Sequence, residues 1–190
     1  YHCSYCTIPL ARGKSRNISI EKVVNEANEI VKNGICEIVL TGVNTGDFGK
    51  STGESFLDML MALDRVDGLE RVRISSIEPN LLTNQILNFI KESRAFLPHF
   101  HIPLQSGSNK ILGLMRRRYN TDLFKSKIDT IKELMPNAFI GIDVIVGFPG
   151  EGEEEFLETY SFLEEVQPSF IHVFPYSKRD NTPASLFKNQ

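Results

Sequence analysis

The apolar residues of this chain follow two patterns that alternate. Short, nearly continuous apolar runs predict strands, and longer segments with apolar residues three or four positions apart predict helices. The strands are predicted at residues 35–40, 69–74, 100–102, 139–146 and 170–174. Strands of this kind that alternate with helices are typical of parallel sheets. The pattern therefore predicts a single α/β domain whose sheet is covered by helices.

Several predicted helices begin at residues that can cap them. Ser19 precedes one helix and Gly34 is placed to end it, Thr83 starts another, and Ser108 can cap a third. The last helix follows residues 147–151. The apolar residues expected to face the core from this last helix are Phe156, Leu157, Tyr160 and Leu163.

A polar or glycine-rich segment follows each predicted strand. Because the carboxyl ends of parallel strands meet at one edge of a sheet or one mouth of a barrel, we expect these segments to gather on one rim. They are residues 41–47, 75–79, 103–108, 147–151 and 175–180. The segment 1–13 precedes the first long helix, so we expect it on the same rim. It contains Cys3 and Cys6 in a CxxC spacing.

The CxxC spacing alone is compatible with half of a zinc site, a redox dithiol or an iron–sulfur loop. Cys36 lies in an apolar strand, and we interpret it as a small buried hydrophobic residue. Three unevenly spaced cysteines do not indicate a disulfide framework. They favour a reducing, cytoplasmic setting.

Composition limits the possible partners. The chain has no apolar run long enough to span a membrane. Its net charge of −3 gives no overall attraction to nucleic acid, so any RNA contact must come from a local basic patch or from another domain. Arg12, Lys14 and Arg16 form such a patch beside the cysteines, and we predict that they face RNA.

Several longer motifs follow one another along the chain. They are Cys3-x-x-Cys6-Thr-Ile-Pro, Ser-Ser-Ile-Glu-Pro (75–79), His-Ile-Pro-Leu-Gln-Ser-Gly-Ser (101–108), Met115-Arg-Arg-Arg-Tyr119, Asp-Val-Ile-Val-Gly-Phe-Pro-Gly-Glu (143–151) and Phe-Pro-Tyr-Ser (174–177). In this order they resemble the radical S-adenosylmethionine (SAM) domain of methylthiotransferases, and the resemblance covers nearly the whole chain. Residues 11–16 and 40–49 are most similar to the branch that methylthiolates threonylcarbamoyladenosine in tRNA.

The resemblance implies a partial (β/α) TIM-like barrel, with its first strand before Tyr1. It also implies two cofactors, a 4Fe-4S cluster and SAM. The family motif is CxxxCxxC, so Cys3 and Cys6 would be two of three thiolate ligands and the third would fall just ahead of Tyr1. With two thiolates, residues 1–190 are expected to be an inactive fragment of the core domain. An amino-terminal cluster-binding domain and a carboxy-terminal RNA-binding domain are the implied neighbours.

The resemblance and the expected rim together nominate residues that bind SAM. The polar ones offer partners for its amino-acid end and ribose, glycine allows close backbone approach, and the aromatic ones can flank adenine. Because Asp143 lies within a strand, its position also suits a structural hydrogen bond. His101 and His172, also in strands, are interpreted as core histidines. The nominated residues are Asn44, Glu78, Gln105, Ser106, Arg118, Asp143, Gly147, Phe148 and Tyr176.

The resemblance implies an enzyme that cleaves SAM reductively and inserts a methylthio group at C2 of threonylcarbamoyladenosine in tRNA. Its partners would be tRNA and an electron donor, with no membrane, and the fragment itself is expected to be a monomer. Two alternatives stay open at this point. One is the same chemistry on isopentenyladenosine or on a ribosomal-protein aspartate, and the other is a zinc-stabilised binding module without catalysis.

Overall fold

The structure, a computed structural model, describes residues 2–188. Five parallel strands within this range form one sheet in the order β1-β2-β3-β4-β5, so each strand lies beside its neighbour in sequence. The predicted parallel α/β fold is confirmed. The strands are β1 Glu37–Leu40, β2 Arg71–Ile74, β3 Phe96–Gln105, β4 Phe139–Val146 and β5 Phe170–Pro175.

Strand β3 is much longer than predicted and includes half of the segment 103–108, which was predicted to be a loop. Pro103 has no N–H to give to a neighbouring strand. The pairing of β3 with β4 shifts register between Pro103 and Gln105, so the irregularity lies next to the proline that cannot donate a ladder hydrogen bond.

Helices cover the sheet and connect its strands. Ser19 accepts a hydrogen bond from the backbone N–H of Lys22, and Thr83 accepts one from Ile86, so both predicted caps are confirmed. The Ser108 cap is wrong, because its hydroxyl accepts no capping bond although it precedes a helix. The helices are α1 Ile8–Arg12, α2 Ile20–Lys32, α3 Phe56–Asp64, α4 Asn84–Glu92, α5 Asn109–Leu114, α6 Thr121–Leu134 and α7 Glu153–Val166.

The two faces of the sheet differ in character. Alternate residues such as Val72, Phe100, Ile102 and Ile142 are fully buried and pack in the main core. The opposite face lines an open cavity of about 410 Å³, which we call the lumen. Every strand contributes to its lining, so the sheet curves round it as in an incomplete barrel. The lining residues are Val39, Arg73, Ile74, Ser75, His99, His101, Phe139, Gly141, Phe170 and His172.

The predicted inward face of α7 is confirmed for Leu163, which packs against the main core, and is wrong for the other three residues. Phe156, Leu157 and Tyr160 are 43%, 50% and 54% exposed. The buried residues of α7 recur at intervals of four and three positions and include Glu155 and Thr159. Polar partners decide this orientation: the Thr159 hydroxyl accepts a hydrogen bond from the backbone of Gly107, and Glu155 binds the backbone N–H of Gly152.

Two other interpretations also need correction. Cys36 is half-buried just before β1, and its Sγ accepts a hydrogen bond from Arg71 at 3.4 Å, so it is not a core residue. His101 and His172 face the lumen and not the core. Over residues 2–188, every helix is too short or too polar to cross a membrane.

Candidate functional site

The cysteine loop lies at the carboxyl edge of the sheet and is held by Ser4, one of the two residues between its thiols. Ser4 is completely buried. Its backbone N–H and hydroxyl donate to the carbonyls of Met115 and Leu114, at 3.1 and 2.7 Å, and its own carbonyl accepts from Ala184 at 2.8 Å. Three hydrogen bonds therefore fix the loop against the end of α5 and the turn at Pro183–Leu186.

Arg117 joins this loop to the segment that follows β2. Its Nη1 donates to the Sγ of Cys3 at 3.1 Å, and its Nη2 donates to Oε1 of Glu78 at 2.8 Å. Its Nε donates to the hydroxyl of Tyr119 at 3.0 Å. One buried guanidinium thus connects a thiol and a carboxylate from distant parts of the sequence.

The end of α5 explains why Arg117, and not its neighbours, occupies this position. Arg116 has a left-handed backbone, with φ of 58°. Its N–H bonds the carbonyl of Gly113, while the N–H of Arg117 bonds that of Leu112, which is the Schellman arrangement. This turn directs Arg117 inward, whereas the side chain of the nominated Arg118 is exposed.

The charge of Arg117 also acts on the thiol of Cys3. Burial raises the pKa of Cys3, and Arg117 opposes that rise. Without a ligand the thiol is therefore protonated at neutral pH. A thiolate formed on binding a metal would have a guanidinium beside it to balance its charge.

Tyr5 brings three further nominated residues to the cysteine loop. Its hydroxyl donates to Oε1 of Gln105 at 2.9 Å, and its ring meets Phe148 edge-on at 6.1 Å between centroids. Phe148 in turn lies 5.3 Å from the ring of Tyr176. Burial raises the pKa of Tyr5, so its phenol stays neutral and its O–H remains able to donate this hydrogen bond. Glu78, Gln105, Phe148 and Tyr176 therefore converge, as expected for a single rim.

Two nominated residues do not present their side chains to the rim. Phe148 is 1% exposed and sits among the rings of Tyr5, Tyr176 and Phe187, so it cannot flank adenine directly. Ser106 is completely buried, with its hydroxyl 3.2 Å from that of Thr159. Both residues support the rim from beneath. Gly147 is exposed, with φ of 74°, and its N–H bonds the carboxylate of Glu151.

Asn44 and the basic patch line a second cavity, of about 730 Å³, beside the cysteine loop. Arg12, Lys14 and Arg16 are exposed along it, and His2 lies at its margin. Both polar atoms of the Asn44 amide are buried and make no hydrogen bond. Such an amide is a ready partner for a ligand in this cavity.

Asp143 lies beside the lumen, and its Oδ1 is 2.8 Å from Nε2 of His101, which lines it. This hydrogen bond raises the pKa of His101. His172 pairs with Asp143 across β4 and β5, and one ligand atom from each of the three residues lies within 4.8 Å of the others. The structural hydrogen bond considered for Asp143 is thus observed, in a group of residue types that also bind metal ions.

The donor chemistry at the cysteine loop fits an iron–sulfur cluster. Cys3 and Cys6 are both free, half-buried thiols of the kind that ligate iron. The buried hydroxyl of Tyr176 and the Asn44 amide, neither of which is hydrogen-bonded, add polar partners for an organic ligand nearby. Tyr1, with which the cysteine motif opens, lies outside the described residues.

Arg117 and Tyr5 were missed by the sequence reasoning. Tyr5 lies between the two cysteines, and its position alone was an available signal. Arg117 belongs to a run of three arginines, of which the sequence does not say which one turns inward.

Comparison with known proteins gives close relatives along the whole chain. The chain is 45% identical, over 99% of its length, to the threonylcarbamoyladenosine tRNA methylthiotransferase MtaB of Bacillus subtilis (strain 168), and covers 42% of that protein. It is 41% identical, over 98% of its length, to the MtaB of Aquifex aeolicus (strain VF5), and covers 45% of it. A tRNA-2-methylthio-N(6)-dimethylallyladenosine synthase of Lachnoclostridium phytofermentans is 38% identical over 99% of the chain, and the chain covers 42% of that protein. The chain thus spans less than half the length of these relatives.

Solved structures share the fold at low sequence identity. Streptococcus suis SuiB bound to S-adenosylmethionine superposes with a TM-score of 0.68 at 16% identity, over 99% of this chain and 40% of that one. The Escherichia coli coproporphyrinogen III oxidase HemN gives 0.66 at 15% identity, over 93% of this chain and 42% of that one. The sequence model of the Radical SAM superfamily matches residues 1–163. The chain belongs to the radical SAM superfamily.

Proposed function

We propose that this chain is the core domain, over residues 1–190, of a methylthiotransferase that modifies threonylcarbamoyladenosine in tRNA at C2 of the adenine. The observation that carries the proposal is the convergence of the cysteine loop with Glu78, Gln105 and Arg117 at the carboxyl edge of the sheet. The similarity to MtaB proteins along the whole chain supports this choice of substrate.

Cys3 and Cys6 would hold two irons of a 4Fe-4S cluster, with a third thiolate from outside the chain. When bound, the cluster supplies the electron for reductive cleavage of SAM, and an electron donor must restore it. Arg117 balances thiolate charge at Cys3 and holds Glu78 in place. The three hydrogen bonds of Ser4 keep the cysteine loop in one conformation.

SAM would lie along the rim beside the cysteines. Glu78 offers a carboxylate for its ammonium or ribose, and Gln105 offers an amide fixed by Tyr5. Asn44 and Tyr176 contribute polar atoms that are buried and make no hydrogen bond. Burying such groups without a partner costs free energy, so a ligand that reaches them stabilises the site.

The RNA would approach over the second cavity. Arg12, Lys14 and Arg16 are exposed along it and suit phosphate contacts. Domains outside the chain, including an RNA-binding one, would add to this contact, because the chain itself carries a net charge of −3. The setting of such a reaction is the cytoplasm.

The test uses the full-length protein, reconstituted anaerobically with iron and sulfide. We expect Cys3→Ser and Cys6→Ser to lose the iron of one cluster and to form no 5′-deoxyadenosine from SAM. The matched control Cys36→Ser should keep both iron and cleavage, because Cys36 lies before β1 and bonds Arg71. Zinc in place of iron in the wild-type protein, or full cleavage by Cys3→Ser, would contradict the proposal.

The RNA substrate is tested separately. Transfer RNA from cells that lack the gene is incubated with the reconstituted protein and SAM, and its nucleosides are measured by mass spectrometry. We expect the methylthio product of threonylcarbamoyladenosine. A methylthio product of dimethylallyladenosine alone would instead assign the chain to the other branch among its relatives.

A further inference from the structure

Three residues with side chains that can bind a metal ion gather at the wall of the lumen. They are His101 on β3, Asp143 on β4 and His172 on β5. One ligand atom from each lies within 4.8 Å of the other two. Within residues 2–188, no other three histidine, cysteine or carboxylate side chains meet this closely. The proposed function makes no use of this cluster.

Strand pairing fixes where the three residues lie. Asp143 is directly opposite His172 in the pairing of β4 with β5. His101 is opposite Gly141, two residues before Asp143 on β4. Because residues two positions apart on a strand point to the same side, all three side chains share the lumen face of the sheet. Gly141 has no side chain, which leaves room for the imidazole of His101 to lean toward Asp143.

The side chains are already close to a coordinating arrangement. Nε2 of His101 is 2.8 Å from Oδ1 of Asp143, and these side chains are 29% and 18% exposed, so an ion in the lumen can reach both. The rings of His101 and His172 have centroids 5.7 Å apart. The ligand atoms of a tetrahedral zinc ion lie roughly 3.3 Å from one another, because each bond is about 2.0–2.1 Å long. Side-chain movements on the order of 1 Å would therefore complete the set without a change of backbone.

The surroundings of His172 hold its ring beside the other two ligands. Phe170 contacts the ring edge-on, with centroids 4.6 Å apart, and the ring of Phe174 is nearly parallel to it at 6.1 Å. All three residues lie on β5, two positions apart. Aromatic neighbours on both sides restrict the rotation of the imidazole, which favours a preformed site.

Two imidazoles and one carboxylate determine which ions fit. Such a set binds first-row divalent ions, with zinc and ferrous iron as the common cases, and leaves a coordination position open. Magnesium prefers oxygen ligands alone. Asp143 supplies a negative charge, and the ion would take the place of the proton between Asp143 and His101.

The third ligand belongs to a strand that is weakly held. Among the described strands β5 pairs with β4 alone, and each of its six residues is half-buried or exposed. An ion bound by residues of three neighbouring strands would tie this edge strand to the sheet. Since the ion binds the folded state, it would also raise the stability of the protein.

We propose that His101, Asp143 and His172 form a zinc site that links β3, β4 and β5 at the wall of the lumen. The site contains no sulfur, and its ligands are not those of the cysteine loop. The open position of the ion faces the lumen, where it can take a water molecule or an oxygen of a bound ligand. The inference does not depend on the proposed function.

The test counts zinc and iron in the same sample of the full-length protein, reconstituted anaerobically with iron and sulfide. The protein is dialysed against Zn²⁺ in the presence of excess Mg²⁺, and both bound metals are measured by plasma mass spectrometry. We expect zinc in the wild-type protein at about one ion per chain more than in variants of the cluster, with the same iron content.

Variants assign that ion to the cluster. His101→Gln, Asp143→Asn and His172→Phe should each weaken zinc binding by more than the roughly 10–100-fold that is typical for a residue behind the ligands. His172→Phe disturbs the fold least, because this side chain is exposed and the substitution keeps a ring beside Phe170. The matched control is His99→Phe, which also lies on β3 and lines the lumen but is outside the cluster. It should bind zinc as the wild type does.

A second measurement is thermal unfolding of the same proteins with and without Zn²⁺. We expect zinc to raise the melting temperature of the wild type and of His99→Phe by several degrees more than that of His172→Phe. This readout needs no enzymatic activity. Failure of the proposed function is read elsewhere, as absence of SAM cleavage and of methylthio product.

Equal zinc content in the wild type and in the three cluster variants would overturn the inference. Loss of zinc from His99→Phe to the same extent would overturn it too, because the effect would then not belong to these ligands. Zinc taken up only in exchange for iron would place the ion at the cysteines, and displacement of zinc by Mg²⁺ would exclude a site with two imidazole ligands.

Discussion

Arg117 and Glu78 form an ion pair whose nitrogen and oxygen atoms are 2.8 Å apart, with side chains only 5% and 8% exposed. The two residues are 39 positions apart in sequence, one after α5 and the other after β2. A buried pair of this kind adds little over an apolar replacement of both partners, but removal of one partner leaves an uncompensated charge. The pair therefore makes the position of the cysteine loop depend on the segment after β2.

Arg117→Met should destabilise the protein by about 3–5 kcal/mol, because Glu78 would be left buried without its guanidinium. The free energy of unfolding is measured in urea by circular dichroism on the full-length protein prepared without iron. Arg118→Met is the matched control, since the exposed neighbouring side chain should change stability by no more than about 0.5 kcal/mol. Equal effects of the two substitutions would show that Arg117 is not held as described.

Tyr5→Phe keeps the ring against Phe148 but removes the hydroxyl that donates to Gln105. We expect a loss of about 1 kcal/mol in the free energy of unfolding, from one buried hydrogen bond. Tyr160→Phe serves as control, because that side chain is 54% exposed on α7. If Tyr5→Phe is as stable as wild type, the hydrogen bond to Gln105 does not contribute to the fold.

Substitution by alanine should change the stability of the protein in opposite directions at two glycines near α5. A Cβ at Gly107 would lie 2.6 Å from Cα of Thr159 and 2.9 Å from Cβ of Phe162, so α7 would have to move. At Gly113, inside α5, a Cβ meets nothing within 4 Å. We therefore expect Gly107→Ala to lower the melting temperature and Gly113→Ala to raise stability by about 0.5–1 kcal/mol. A stabilising Gly107→Ala would contradict the close packing of α7 on this loop.

Two histidines on β3 should titrate in a defined order. Burial and the nearby Arg73 lower the pKa of His99, whereas the hydrogen bond to Asp143 raises the pKa of His101. As pH rises, His99 should lose its proton first. Nuclear magnetic resonance of histidine-labelled, iron-free protein measures both, with signals assigned by His99→Phe and His101→Gln.

The sign of the His101 effect on stability follows from its raised pKa. Its pairing with Asp143 contributes stability that is fully present below the ordinary histidine pKa and is lost as pH rises through the raised value. Asp143→Asn should shift the pKa of His101 downward and remove this dependence. Asp122→Asn, at the exposed start of α6, should change neither. The same titration midpoint for His101 in wild type and Asp143→Asn would refute the pairing.

The sheet was predictable from the sequence because its evidence is local. The bounds of β4 agree with the apolar run at residues 139–146, and Ser19 and Thr83 cap their helices as the sequence indicates. The placement of the polar segments on one rim followed from parallel pairing alone. That placement is confirmed for Glu78 by its bond to Arg117 and for Gln105 by its bond to Tyr5. Tyr176 reaches the same place through the ring of Phe148, which contacts Tyr5.

Side-chain direction was not predictable where tertiary partners decide it. Arg117 turns inward because Arg116 has a left-handed backbone conformation. Three consecutive arginines do not indicate which of them takes that conformation. The α7 helix turns Thr159 inward to meet Ser106 and Gly107, at the expense of its more apolar side. The first direction is set by a local turn after α5, and the second by hydrogen bonds between residues far apart in sequence. Neither can be read from the apolar pattern.

Ser4 gives the cysteine loop its shape before any metal arrives. Three hydrogen bonds hold this residue, which directly follows Cys3, and they involve neither sulfur. Conformational entropy that a mobile loop would lose on capturing iron has already been lost in folding. A cluster held by Cys3 and Cys6 would therefore cost the loop little further conformational entropy and would leave the surrounding backbone almost unmoved.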